Sequence, residues 1–279
     1  MLSASSSSGL CAGGAARRRG GHASGARGPT RARAGAGGVA REVLSSGQRA
    51  KLDPSLDRDF YAFPRLVKHV DDGFLAQVTQ LYRQRIPEDA VVLDLCSSWV
   101  SHLPKDRKYK EVVGHGMNAQ ELAKNPQLDR WFVRDLNKEP GEWALGDASV
   151  DAVVCCVSVQ YLQRPEAVFA EVYRVLKPGG VAMFTFSNRM FYDKAISAWR
   201  DGTGYSRCQL VKEYFQCVPG FTTPEVLLEV KAPGGAAPPA GGGGPLAALL
   251  RPLAALLQRG GSDPFYAVVA YRNFRREDA

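Results

Sequence analysis

The chain has 279 residues, 45% of them hydrophobic, enough for one sizeable core beside a tail. Most of its formal net charge of +8 sits in residues 1–41, which hold seven arginines and no Asp, Glu or Lys; the remainder balances 29 basic against 28 acidic residues. A nearly neutral body lacks the electrostatic footprint of a nucleic-acid binder, and no apolar run approaches the length of a transmembrane helix.

The first element is that tail, rich in Ser, Ala, Gly and Arg and without a secretory apolar core. Its composition is that of an organelle transit peptide, and the Ser-rich start points to chloroplast, with mitochondrion as the alternative. A folded domain is expected over 57–274, so a chain beginning near Ser46 should be as stable as the whole. Phe74, Val78, Leu81 and Tyr82 recur at helical spacing, and Pro87 closes that helix. Strands are then expected at 91–95, 110–117, 130–136 and 150–159, with a short helix after the cap residue Asn118. Pro165 opens a helix whose apolar face is Val168, Phe169, Val172, Val175 and Leu176, and Pro178, Gly179 and Gly180 stop it. A fifth strand covers 181–188, helices follow near 190–200 and 206–216, and two last strands cover 224–232 and 263–274. Between these lies a low-complexity insertion, 233–262, in which Leu246, Leu249, Leu250, Leu253, Leu256 and Leu257 share one helical stripe. That stripe either packs on its own domain or makes a weak membrane contact through 246–257.

Alternating strands and helices imply an α/β fold: a Rossmann-like, doubly wound, mostly parallel seven-stranded sheet ending in an antiparallel pair. Ligands of such sheets bind outside the carboxyl ends of the strands, where strand order reverses. The site candidates are therefore the 94–102 loop, the 114–118 turn, Asp135 to Asn137, Ser158 to Tyr161, and Ser187 with Asn188. The six cysteines show neither metal spacing nor a disulfide framework, and no metal site is expected. Cys155 and Cys156, adjacent in a strand, should face opposite ways.

"DAVVCCVSVQYL" followed by "RVLKPGG" and an apolar strand resembles the class I S-adenosylmethionine-dependent methyltransferases of the type 11 kind. With "VLDLCSSWVSHLP", "GMNAQELAKNPQLD" and "SNRMF" the likeness is to a plastid and cyanobacterial branch with a glycine-poor first motif. The resemblance implies S-adenosyl-L-methionine as cofactor and a small-molecule acceptor. It places Asp94 at the acid that orients the methionine amino group, and family glycines at Cys96, Ser98 and Val100, with Ser97 between them. The ribose acid falls at Gly116, beside Met117, so Asn118 would have to substitute; Asp135 and Leu136 match the adenine position, and Ser158 lies beside the sulfonium. Small residues at two of three glycine positions imply an altered cofactor loop that still binds, and Ser98→Gly should be tolerated. The rival reading is a non-catalytic binding or scaffold protein on the same fold. For catalysis the sequence offers His102 as base and Tyr161 in the acceptor pocket, with His69 and "FYAFPR" (60–65) forming a lid.

Overall fold

The computed structural model describes residues 37–230 and 262–274. Most of the basic tail, most of the insertion and the whole 246–257 leucine stripe lie outside the described residues. The described residues make one compact unit.

β1 (Val91–Leu95), β2 (Glu111–Gly116), β3 (Arg130–Val133), β4 (Val150–Cys156), β5 (Leu176–Phe186), β6 (Glu225–Leu227) and β7 (Tyr266–Tyr271) form one sheet in the order β3-β2-β1-β4-β5-β7-β6. β1 to β5 pair in parallel, and β7 is antiparallel to both β5 and β6. The expected fold class is therefore the observed one. Strand alternation divides the interior into two apolar layers. Leu93, Leu95, Val153 and Cys155 face one layer, while Val92, Ala152, Val154 and Cys156 face the other. The first layer packs on α4 (Pro165–Val175) and α6 (Gly204–Gln216), where Phe169 stacks on Phe184 with centroids 4.4 Å apart. The second packs on α2 (Asp72–Arg85), whose stripe is Phe74, Val78, Leu81 and Tyr82, as the spacing predicts. The Asp71 carboxylate accepts from Phe74 N at 2.8 Å to cap it.

Several elements differ from the sequence expectation: β6 and β7 shorten from the expected 224–232 and 263–274 to Glu225–Leu227 and Tyr266–Tyr271, and four further differences bear on the site. β4 stops at Cys156 instead of Val159, because Val157 takes φ 51° and breaks the ladder before a single 3-10 turn at Val159–Tyr161. The "LKPGG" run does not merely end a helix: β5 already begins at Leu176, which pairs with Val150. The register then shifts, so 177–180 bulge out and the pairing resumes at Ala152 with Val181. Gly179, at φ 79°, lets the bulge turn. Instead of one helix at 190–200 there is a 3-10 turn at Tyr192–Lys194 and a short α5 (Ser197–Arg200). β3 is only four residues long, freeing Asp135 for the turn beyond it.

The fold also takes in chain that was expected to lie outside 57–274. Gly37 N and Ala40 N donate to Pro219 O and Cys217 O, and Leu44 is 2% exposed within the first layer. Buried Glu166 accepts from Val43 N and Leu44 N through Oε1 and takes both ends of the Arg49 guanidinium at 2.8 Å. A chain beginning at Ser46 loses Leu44 and two of these bonds. It should be less stable by roughly 2 kcal/mol and melt about 4–8 °C lower than one beginning at Ala34, by calorimetry. Equal melting temperatures would restore the boundary near 41.

Candidate functional site

Strand order reverses between β1 and β4, whose neighbours β2 and β5 lead away on opposite sides. A cavity of about 270 Å3 opens there, at the carboxyl ends of β1 to β4. Of the residues singled out in sequence, Cys96, Ser97, Ser98, Gly116, Met117, Asn118, Asp135, Leu136, Ser158 and Tyr161 all stand on its wall.

The first loop leaves β1 through Cys96, which takes φ 57°. That is the conformation glycine adopts most cheaply, and it is the only one of Cys96, Ser98 and Val100 to need it. Cys96 N donates to His115 Nδ1 at 3.1 Å, so the ring proton lies on Nε2, which donates to Arg134 O at 3.0 Å. Ser97 N donates to His115 O at 2.6 Å, lashing the loop across the end of β2. Ser98 Oγ donates to Glu121 Oε2 at 2.5 Å, and Asn125 Nδ2 donates to Ser98 O at 3.0 Å. Ser98→Gly therefore removes a bond to a carboxylate and relieves no strain, which corrects the sequence expectation. No helix follows this loop: 96–110 is irregular throughout.

This path explains the missing ribose acid. A Cβ at Gly116 would lie 2.5 Å from Ser97 O and 3.1 Å from Leu122 Cδ2, so no side chain can stand there. Asn118 cannot replace it. Its Oδ1 caps α3 (Ala119–Leu122) by accepting from Gln120 N and Glu121 N, and its Nδ2 donates to Tyr61 O and Ala62 O. The same amide thus holds the 60–69 segment over the cavity. Glu121, a carboxylate the motif did not single out, faces the cavity instead and accepts from Arg65 N at 2.6 Å.

Beyond β3, Asp135 Oδ1 accepts from Asn137 N, and Asn137 Nδ2 bridges Asp57 Oδ2 and Tyr161 O at 2.8 and 3.0 Å. Asp57, from α1 (Asp57–Phe60), is also on the wall; Lys51 Nζ donates to its Oδ2 at 2.7 Å, while its buried Oδ1 has no hydrogen-bond partner. Val157, a β-branched residue at positive φ, sits between β4 and Ser158 on the wall. Strain of this kind persists where the surroundings enforce it, and here Thr185 O accepts from Val157 N at 2.8 Å. Tyr161 Oη accepts from Phe191 N at 2.9 Å, and burial pushes its phenol up to about 12, so it stays neutral.

Two expected roles fail on geometry. His102 is not on the cavity wall; burial, with Lys68 adding, pushes its imidazole down to about 4. Asp94 is also off the wall. It lies behind the loop, 6% exposed, and its Oδ2 accepts from Ser97 Oγ at 2.6 Å and Ser101 Oγ at 2.5 Å. Burial raises it to about 6 despite both hydroxyls. Asp94 shapes the loop; it does not reach into the cavity. Two histidines stand on the wall: His115, engaged at both ring nitrogens, and His69, which burial holds below its usual range against an upward pull from Glu121, with Arg65 adding a smaller lowering.

Residues 78–184, which hold β1 to β4 and most of this wall, match the family described as a methyltransferase domain. The chain is 27% identical over 152 residues to malonyl-[acyl-carrier protein] O-methyltransferase of Hahella chejuensis, across 51% of this chain and 53% of that protein. It is 33% identical over 82 residues to a thiol S-methyltransferase of Homo sapiens, across 25% of this chain and 34% of that protein. The match thus spans about half or less of either relative. A solved S-adenosylmethionine-dependent methyltransferase from Mesorhizobium loti aligns with 69% of this chain and 96% of its own, at 17% identity and a TM-score of 0.41.

The cofactor expected from the sequence resemblance is S-adenosylmethionine, and the wall residues fit it in part. Asp135 and Leu136, which the resemblance matches to the adenine position, stand on the wall. Asp57 Oδ1, buried on the wall, makes no hydrogen bond and has Lys194 Nζ as its ion-pair partner at 3.7 Å. At Gly116, where the resemblance would put the ribose acid, no side chain can stand, and Glu121 is a carboxylate on the wall.

Proposed function

We propose that this protein is an S-adenosylmethionine-dependent methyltransferase acting on a small molecule in an organelle. The observation that carries the reading is the cavity at the β1/β4 switch point, entered through a left-handed Cys96 and walled by Asp135 and Leu136. The cofactor supplies an electrophilic methyl group; the chain's own task is placement, which alone lowers such a barrier by several kcal/mol. Ser98 and Met117 would flank its amino-acid end, Glu121 the ribose, and Asp135 with Leu136 the adenine. Any acceptor proton goes to His69, which is neutral and on the wall, and not to His102. Names of relatives suggest oxygen and sulfur acceptors, a carboxyl group in one and a thiol in the other.

The test is turnover: the full chain with S-adenosylmethionine and panels of carboxylic acids and thiols, read as S-adenosylhomocysteine released. Release above the acceptor-free rate supports the reading. The non-catalytic alternative draws on Gly116, where no acid can stand, and predicts cofactor binding or none, but no release with any panel. The organelle assignment rests on the acid-free, arginine-bearing residues 1–41, and fusing them to a fluorescent reporter tests it. Plastid accumulation is expected, mitochondrial accumulation selects the alternative, and a reporter left in the cytosol overturns both.

A further inference from the structure

Among the described residues, one arginine on the cavity wall makes no ion pair. Arg65 is half-buried there, with its guanidinium 4.2 Å from the Phe60 ring centroid, 5.5 Å from that of Phe191 and 6.0 Å from that of Tyr61. Its Nη1 donates to Phe60 O at 2.9 Å, which leaves most of the donor fork unused. Among the described residues no carboxylate lies within 4.0 Å of that guanidinium. Glu121, the acid nearest in the bonding network, is occupied by the Arg65 backbone N–H and the Ser98 hydroxyl. The other two wall arginines are committed, Arg134 to Glu139 and Arg189 to Asp263.

A guanidinium set against aromatic rings keeps its edge free, and that edge matches a carboxylate with two parallel bonds. The rings beside it ask for an apolar or aromatic body on the same molecule. Phe191 and Tyr161 follow β5 and β4, so the rings beside the guanidinium stand on the β4–β5 side of the switch point, while Glu121 joins the Arg65 backbone to Ser98. We propose that the acceptor is a carboxylate carried on an apolar body, and that Arg65 is the group that recognises it. The inference rests on the methyltransferase reading above. The cofactor's own methionine carboxylate shares this chemistry, so the experiment must separate the two sources.

The probes are octanoate and benzoate, each paired with its uncharged amide, titrated calorimetrically into the full chain with and without saturating S-adenosylhomocysteine. The wild type should bind each acid about tenfold or more tighter than its amide, since a charge-assisted bidentate pair is gained. Arg65→Gln should erase that preference and leave S-adenosylhomocysteine affinity unchanged, while Arg65→Lys, which keeps charge but not the fork, should retain part of it. Matching melting temperatures establish that both variants fold; if the Gln variant does not fold, the Lys variant decides. Equal binding of acid and amide by the wild type overturns the inference, as does a preference that survives in the variants. Loss of S-adenosylhomocysteine affinity with the acid preference intact overturns it too, assigning Arg65 to the cofactor. A wild type that ignores S-adenosylhomocysteine yet prefers the acids sinks the methyltransferase reading and leaves the carboxylate site standing.

Discussion

Gly116→Asp, which puts back the acid that the family carries at the end of β2, should damage the protein instead of improving it. The new Cβ would meet Ser97 O at 2.5 Å and Leu122 Cδ2 at 3.1 Å. Ser97 cannot step aside cheaply: its N–H is bound to His115 O at 2.6 Å and its hydroxyl to Asp94 at 2.6 Å. Overpacking against backbone costs on the order of 1–3 kcal/mol, and a carboxylate pressed on a carbonyl oxygen adds repulsion. We expect a melting temperature lower by several degrees and loss of S-adenosylhomocysteine binding. Gly116→Ala isolates the steric part and should retain most of the thermal loss. A Gly116→Asp protein that binds more tightly than the wild type would mean that the loop moves easily and that the packing argument is wrong.

The second large effect is at Asp94, and it separates charge from shape. Its folded value of about 6 stands above the usual 3.8, so its favourable contribution is complete below about pH 4 and is lost as pH rises through 6. At pH 7 the buried carboxylate therefore costs on the order of 3 kcal/mol relative to its protonated form. Asp94→Asn keeps an acceptor oxygen for Ser97 and Ser101 and removes that charge. Its stability should be flat between pH 4 and 6, where the wild type's contribution from this group declines, and near wild type or higher at pH 7. Asp94→Ala strands both hydroxyls, one of them on buried Ser101, and frees the loop. Stability should fall by about 1–3 kcal/mol and cofactor affinity by roughly ten- to a hundred-fold. Calorimetric melts at half-unit steps of pH decide it: equal damage from Asn and Ala at pH 7 would contradict the account.

Most of the fold was legible because strand signals here are strong and local. "VVLDL" and "VDAVVCC" are β-branched runs buried on both faces, and Pro165 with its 3.6-period face could only open a helix. The "LKPGG" run misleads because Pro and Gly usually break elements, whereas here they form a bulge inside a strand that resumes its pairing. The residues on the wall were legible where a motif sits at a strand end, as at Cys96, Asp135 and Ser158. Their roles were less so. Position in sequence put Asp94 at the site, but which way a strand-end side chain points depends on hydroxyls up to seven residues later. Asp57 and Arg65 come from a segment packed across the cavity long before β1, and sequence spacing carries no signal of such an approach. Only the lid reading of 60–65 and His69 pointed that way. Val157 at positive φ has no local signature at all; the sheet and the turn after it impose it.

The central claim is that this cavity binds the methyl-donor cofactor despite a first loop without glycine and a β2 without its acid. Calorimetric titration of the full chain with S-adenosylmethionine, and separately with S-adenosylhomocysteine, tests it most directly. The account predicts one saturable site for each ligand, weakened by Asp94→Ala and untouched by His102→Ala. A folded wild type that gives no heat with either ligand at millimolar concentration would contradict it.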